Sequence, residues 1–189
     1  MTRLTIICHA STAAVRAARF PDDEAIDTPS AISAALVSIE AAHWLTGPER
    51  RATATAATLA TNHSVIVDQA IREWDCGSWR GQDFAELHRR EPASLTAWLT
   101  DPAAAPHGGE SLLDLLDRIG RWLDQQAAQG GKTAAVSHPA ILRAAVVKVL
   151  NAGPAPFWHI DAQPLTRVQL SHDGRRWILR SLSSAHRPD

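Results

Sequence analysis

Two histidines of this 189-residue chain stand in matching contexts. His9 directly follows an apolar run, Leu4 to Cys8, and His138 ends Ala-Ala-Val-Ser-His just before Pro139 opens a helical pattern. In open α/β sheets, ligands gather outside the carboxyl ends of strands, so two imidazoles at such ends can converge on one reacting group. Either histidine alone reads more readily as a satisfied structural residue; the matching context singles out the pair. Arg51, early in a helix within Thr-Gly-Pro-Glu-Arg-Arg-Ala-Thr, adds a cation, and Glu73, within Ile-Arg-Glu-Trp-Asp-Cys-Gly, adds a carboxylate. Separately these read as surface charge and loop acid. Together with His107, in Pro-His-Gly-Gly-Glu-Ser at 106–111, they make a set able to do acid–base or nucleophilic work on an anion.

Elements that would position this set can be read from periodicity. Leu4 to Cys8 suits a buried strand. Thr28-Pro29 reads as the N-cap and first residue of a helix with the stripe Ile32, Ala35, Leu36, Ile39 and Ala42. A second helix is predicted from near Pro48 through Leu59, and Val65 to Val67 is a short strand. Ile71 to Gly81 is loop-like, followed by short helices at Phe84 to Glu91 and Pro92 to Leu99 and a loop from Asp101 to Gly109. Glu110 to Gln126 is the clearest helix, with Leu112, Leu116, Ile119 and Leu123 widened by Leu113 and Trp122. Ala134 to Ser137 is a strand, and Pro139 opens a helix to about Leu150. Thr166–Leu170 and Arg176–Leu182 flank His172-Asp173-Gly174, a hairpin signal. Strands alternating with helices predict an α/β sandwich, the terminal hairpin adding an antiparallel strand.

Composition narrows the class. Hydrophobic residues at 45% can fill a core and charged residues at 21% can keep the surface wet, which excludes disordered, collagen-like and coiled-coil chains. A formal charge of −1 provides no basic field for nucleic acid or anionic lipid, although a local cationic pocket stays open. Cys8 and Cys76 make neither a disulfide framework nor a zinc motif, and the nine histidines include no i, i+4 pair on a plausible helix face. The apolar run at the N-terminus is too short for a signal peptide or membrane span, which favours the cytoplasm.

The order of the motifs resembles that of the histidine phosphatase superfamily, the phosphoglycerate-mutase-like proteins, from about Arg3 to Leu150. That family begins with a strand and Arg-His-Gly-x-Thr; here the stretch is Cys8-His9-Ala10-Ser11-Thr12. Its Ser-Pro-x-x-Arg-Ala-x-x-Thr-Ala segment is matched by 47–56, with Arg51 at the arginine. Its Leu-x-Glu-x-x-x-Gly-x-Trp-x-Gly segment is matched by Ile71, Glu73, Gly77, Trp79 and Gly81. Gly108-Gly109-Glu110-Ser111 and Ser137-His138 complete the set. The resemblance implies a single domain over 1–189, a three-layer α/β/α sandwich with a mostly parallel sheet and a small helical cap at about 82–107. It also implies a metal-independent phosphomonoesterase without cofactor. His9 would form a phosphohistidine and Glu73 would protonate the leaving oxygen, while His138, Arg51, Thr12 and His107 would serve the phosphoryl group. The expected partner is a small phosphorylated molecule, with neither nucleic acid nor membrane, and a homodimer is compatible with the reading. Hydrolysis is favoured over mutase activity because the chain lacks the longer insertions of the dedicated mutases.

Departures lie on the phosphate side. The arginine before the nucleophile is Cys8, the glycine after it is Ala10, a usual asparagine is Val15, and the residues after the second histidine are Pro139-Ala140. A thiol cannot copy a bidentate guanidinium contact, and loss of one such donor costs about 100- to 1000-fold in rate. Arg16, Arg19, Arg72, Arg143 and His107 are the cations that could compensate. Two alternatives follow: a non-catalytic descendant that binds a phosphorylated ligand, and a repurposed acid–base enzyme using His9, His138 and Glu73. Cys8 reads either as a small buried apolar residue or as a thiol activated by the two histidines.

Overall fold

The computed structural model describes residues 1–27, 32 and 39–184. Its sheet has six strands, β1 (Thr2–Cys8), β2 (His43–Thr46), β3 (Val65–Val67), β4 (Lys132–Ser137), β5 (Arg167–His172) and β6 (Trp177–Ser183), in the order β3-β2-β4-β1-β5-β6. β1, β2, β3 and β4 run parallel, whereas β5 is antiparallel to β1 and to β6, as the hairpin signal predicts. Helices cover both faces, giving the α/β sandwich expected of the sequence.

Alternation along the strands builds the two cores. Leu4, Ile6 and Cys8 of β1 join Ala135 of β4 on one face, against the helices α5 (Leu112–Gln129) and α6 (Pro139–Leu150). Ile7, Ala134 and Val136 point to the other face, where Trp44 meets Ala52, Ala56 and Ala60. The first two of those alanines belong to α2 (Arg50–Leu59) and share one side of it at i, i+4 spacing. The remaining helices among the described residues include α1 (Ala13–Arg16), α3 (Phe84–Arg90) and α4 (Pro92–Thr100), the last two near their predicted spans.

Several expectations need correction. β2 was not predicted, because His-Trp-Leu-Thr is only four residues long and its partners β3 and β4 lie elsewhere in the chain. Ile39 and Ala42, predicted as the end of a helical stripe, are not helical, and the Ala42 amide instead donates to the Lys132 carbonyl as β2 begins. The start of that helix, Thr28-Pro29, lies outside the described residues. α5 begins at Leu112 rather than Glu110, since Ser111 and Asp114 close a reciprocal capping box. Leu113 faces solvent; Leu115 takes the place predicted for it in the core.

Candidate active site

Strand order brings the chemistry together. β1 and β4 are parallel neighbours, with Cys8 opposite Ser137, so the residues that follow them, His9 and His138, leave the sheet side by side. Their ring centroids are 5.3 Å apart. Arg51 sits in the first turn of α2, just beyond the carboxyl end of β2, and Glu73 follows the short 3-10 turn Gln69–Ile71 after β3. Four parallel strands thus deliver two imidazoles, a guanidinium and a carboxylate to one edge. α6 opens at Pro139, adding the positive end of a twelve-residue helix beside them.

Hydrogen bonds fix the state of each group. His9 Nδ1 lies 2.7 Å from the Ala10 carbonyl, which only accepts, so Nδ1 carries the proton and Nε2 keeps its lone pair. Burial, reinforced by repulsion from His138, holds the His9 pKa down to about 4, so the ring is neutral at ordinary pH. His138 is the opposite case. Burial opposes its charge, but Glu73 and Glu49 together raise its pKa and hold it as imidazolium. Its Nε2 donates to Glu49 Oε2 at 2.6 Å, and its Nδ1 lies 3.1 Å from Glu73 Oε2. Burial likewise works against the Glu73 carboxylate and is overcome by His138, Arg51 and His9, which favours the ionised form of Glu73. Arg51 Nη2 donates to Glu73 Oε2 at 3.0 Å.

Three buried donors on Arg51 and His138 have no hydrogen-bond partner in the protein, Arg51 Nε, Arg51 Nη1 and His138 Nδ1, the last off hydrogen-bonding geometry with Glu73. Leaving a buried donor unmade costs about 1–3 kcal/mol, more when charged. Arg51 is 1% exposed and His138 0%. Such a cluster, beside a neutral imidazole with a free lone pair, suits an incoming anion with several acceptor oxygens.

A buttress of polar contacts holds the Glu73 loop. Arg118, on α5, donates to the carbonyls of Ala70, Arg72 and Glu73 and pairs with Glu110 at 2.7 Å. Glu110 in turn accepts from Arg72 and from the Asp75 amide. Gly77 and Gly109 allow the two loops to meet backbone to backbone: a Cβ on Gly109 would lie 2.0 Å from the Asp75 carbonyl, and one on Gly77, at φ +46°, 2.1 Å from that of His107. Arg118→Ala would strip the carbonyls of Ala70, Arg72 and Glu73 of a donor and Glu110 of one of its two guanidinium partners, and we expect a loss of about 1–3 kcal/mol in chemical denaturation. A loss below 1 kcal/mol would show that the loop stands without it.

The remaining sequence candidates divide. Thr12 is buried but caps α1, accepting from the Val15 amide and donating to Glu24. His107 packs on Trp79 and Trp98 and accepts from the Gly109 amide; none of its described contacts reaches His9 or Arg51. Among the compensating cations, Arg16 pairs with Asp27 and Arg72 with Glu110, while Arg19 and Arg143 line a cavity beside His9. Cys8 also lines that cavity, but burial raises its thiol pKa far above the ordinary value, so it is a small apolar residue rather than an activated thiol.

Two acids escaped the sequence reading. Glu49 occupies the N-cap position of α2 yet makes no cap; its carboxylate bonds His138 and accepts from the Glu73 amide at 2.9 Å. Room for that pair comes from Gly47, whose Cβ would lie 2.9 Å from Glu49 Oε2 and 3.0 Å from His138 Nε2. Glu24 lies 3.8 Å from Arg51 Nη1. Nothing in their sequence context marks either residue, since an acid before a helix reads as dipole complementation. As for metals, donor atoms of His9, Glu73 and His138 lie within 4.8 Å of one another, a spread a cation could draw together. Arg51 beside Glu73 makes the position unfavourable for one.

Comparisons with known proteins agree with the motifs. A family model described as "Histidine phosphatase superfamily (branch 1)" matches residues 22–185. A protein of Mycobacterium tuberculosis called "Bifunctional protein" is 33% identical over 136 residues, 69% of this chain and 37% of its own length. This chain therefore spans little more than a third of that relative. The native structure of mycobacterial glucosyl-3-phosphoglycerate phosphatase superposes with a TM-score of 0.81 at 26% identity, covering 95% of this chain and 97% of that one. Phosphoserine phosphatase from Entamoeba histolytica, in complex with 3-phosphoglyceric acid, shares the fold with a TM-score of 0.86 at 20% identity over 97% and 98% of the two chains. No helix among the described residues is long and apolar enough to cross a membrane.

Proposed function

Since the chain belongs to the histidine phosphatase superfamily, branch 1, we propose that it hydrolyses a phosphate monoester through a phosphohistidine on His9. The observation that carries this reading is the neutral His9, with Nε2 free, beside three orphaned donors on Arg51 and His138. His9 Nε2 would attack phosphorus as the ester P–O bond breaks, and the departing oxygen would take a proton from Glu73. Water would then attack phosphorus, give its proton to Glu73 and return the bonding pair to His9 Nε2. Arg51 and the His138 imidazolium would donate to the equatorial oxygens where charge is greatest.

Glu73 must acquire its proton before it can act as an acid. His138 and Arg51 favour its ionised form. A bound phosphoryl group would draw both cations to itself and place negative charge beside the carboxylate, and both effects raise the Glu73 pKa. The acid is armed by its substrate. Glu49 would keep His138 charged while the other ring nitrogen turns to phosphate.

Release of inorganic phosphate from p-nitrophenyl phosphate, with and without chelator, tests the proposal. Turnover that survives chelation supports it, and turnover that needs a metal overturns it. Cys8 gives the non-catalytic binder its one specific support, because the usual guanidinium is missing there. Phosphate binding without any turnover would favour that second reading.

A further inference from the structure

Beside His9 the cavity divides into two arms, of about 580 and 210 Å³, that share Val15, Phe20, Trp98 and Arg143. The smaller arm adds Trp74 and Trp158; the larger adds Phe84. These rings form one connected wall. Trp74 and Trp98 are stacked with centroids 5.0 Å apart, Trp158 meets Trp98 edge-on at 4.8 Å, and Phe20 meets Trp98 at 5.7 Å and Phe84 at 6.1 Å. The indole N–H of Trp98 is buried without a protein partner.

Charge in the cavity is sparse and mostly committed. Arg143 spends its Nε on the Ile160 carbonyl at 2.8 Å, and Asp161 faces the same arm. Glu24 lines the smaller arm and Arg19 both. Across the two arms a second anionic group on a substrate would meet three carboxylates, of Glu24, Glu73 and Asp161, against two guanidinium groups, of Arg19 and Arg143. From this wall and this charge balance we infer that the alcohol carrying the phosphate bears a flat aromatic ring and no carboxylate, the ring lying against Phe20, Phe84 and Trp98. The inference rests on the proposed monoesterase reaction and assigns its substrate class.

Aromatic walls also make cages for quaternary ammonium groups, but a cage needs open ring faces. Here Trp74 and Trp98 have turned one face of each toward the other, which leaves too few open faces for a cage. The 210 Å³ arm is smaller than typical drug-sized pockets of about 300–1,000 Å³, and the larger arm falls within that range.

The test compares kcat/KM for benzyl phosphate, ethyl phosphate, 3-phosphoglycerate and phosphocholine, whose leaving groups are all unactivated alcohols. Binding of benzylphosphonate, read by tryptophan fluorescence, is measured alongside as a probe that needs no turnover. Benzyl phosphate should lead by about 30-fold or more, the worth of seating one aromatic ring. Trp98→Leu should cut the benzyl-to-ethyl ratio about tenfold, and Phe84→Ser, at a half-exposed position, should shift it the same way if Trp98→Leu fails to fold. Equal rates within threefold, or a lead for 3-phosphoglycerate or phosphocholine, would overturn the substrate class and leave the monoesterase reading standing. Tight benzylphosphonate binding with no ester hydrolysed would do the reverse.

Discussion

His9→Ala is expected to lower phosphatase turnover by at least about 1,000-fold, because His9 Nε2 is the lone pair aimed at phosphorus while the Glu73 carboxylate is held by Arg51 and His138. Arg51 and the His138 imidazolium carry no lone pair for the purpose, and Cys8 is held as a neutral thiol. Rapid quench of the wild type into alkaline detergent, with substrate labelled in its phosphate, should reveal a protein-bound label that is stable to base, lost in acid and absent from the variant. Variant turnover within tenfold of the wild type would remove His9 from the reaction. The pH profile gives an independent check. His9 loses its lone pair only when protonated, and its folded pKa is depressed to about 4, so its contribution to the acid limb of kcat/KM should fall near pH 4 instead of near 6.5. The alkaline limb reports loss of the His138 proton and should lie above the ordinary histidine value, since Glu73 and Glu49 raise it.

Glu73→Gln should cost about 100- to 10,000-fold in kcat/KM with an alkyl phosphate and less than about tenfold with p-nitrophenyl phosphate. An alkoxide is too basic to leave without a proton, whereas p-nitrophenolate leaves unaided. The amide keeps the size of the side chain and can still accept from Arg51, so a loss common to both substrates would point to damage of the phosphate site. That result would deny Glu73 its role as proton donor. The contrast between the two leaving groups is therefore the measurement that matters, more than either rate alone.

Much of this site was legible before the coordinates, for a physical reason. His9 and His138 each sit just beyond the carboxyl end of a parallel strand, and strand ends leave a signature of apolar run followed by polar residue, whereas Arg51 and Glu73 stand out only through the order of the motifs. Gly77 and Gly109 read as loop and motif glycines, and the contact of two backbones there is visible only in three dimensions. What escaped notice depends on side-chain direction. Glu49 looks like any acid at a helix start, and only the rotation of its carboxylate toward His138 makes it part of the site. His107 stands at a motif position that suggests a phosphate contact, and its ring packs on Trp79 and Trp98. β2 was missed because four residues carry too little pattern to outweigh their surroundings.

Parallel pairing of β1 with β4 has a consequence for how such a protein can change. Neighbouring strands lie about 4.8 Å apart whatever their side chains, because backbone hydrogen bonds set that spacing. His9 and His138 inherit it, and their rings stand 5.3 Å apart. The sheet is thus a gauge cut to one tetrahedral group, and no loop mutation can widen it. Residues such as Phe20, Phe84 and Trp98 hang from loops and short helices outside the gauge. Evolution can refit the handle of such a tool for a new alcohol while the jaw keeps its width.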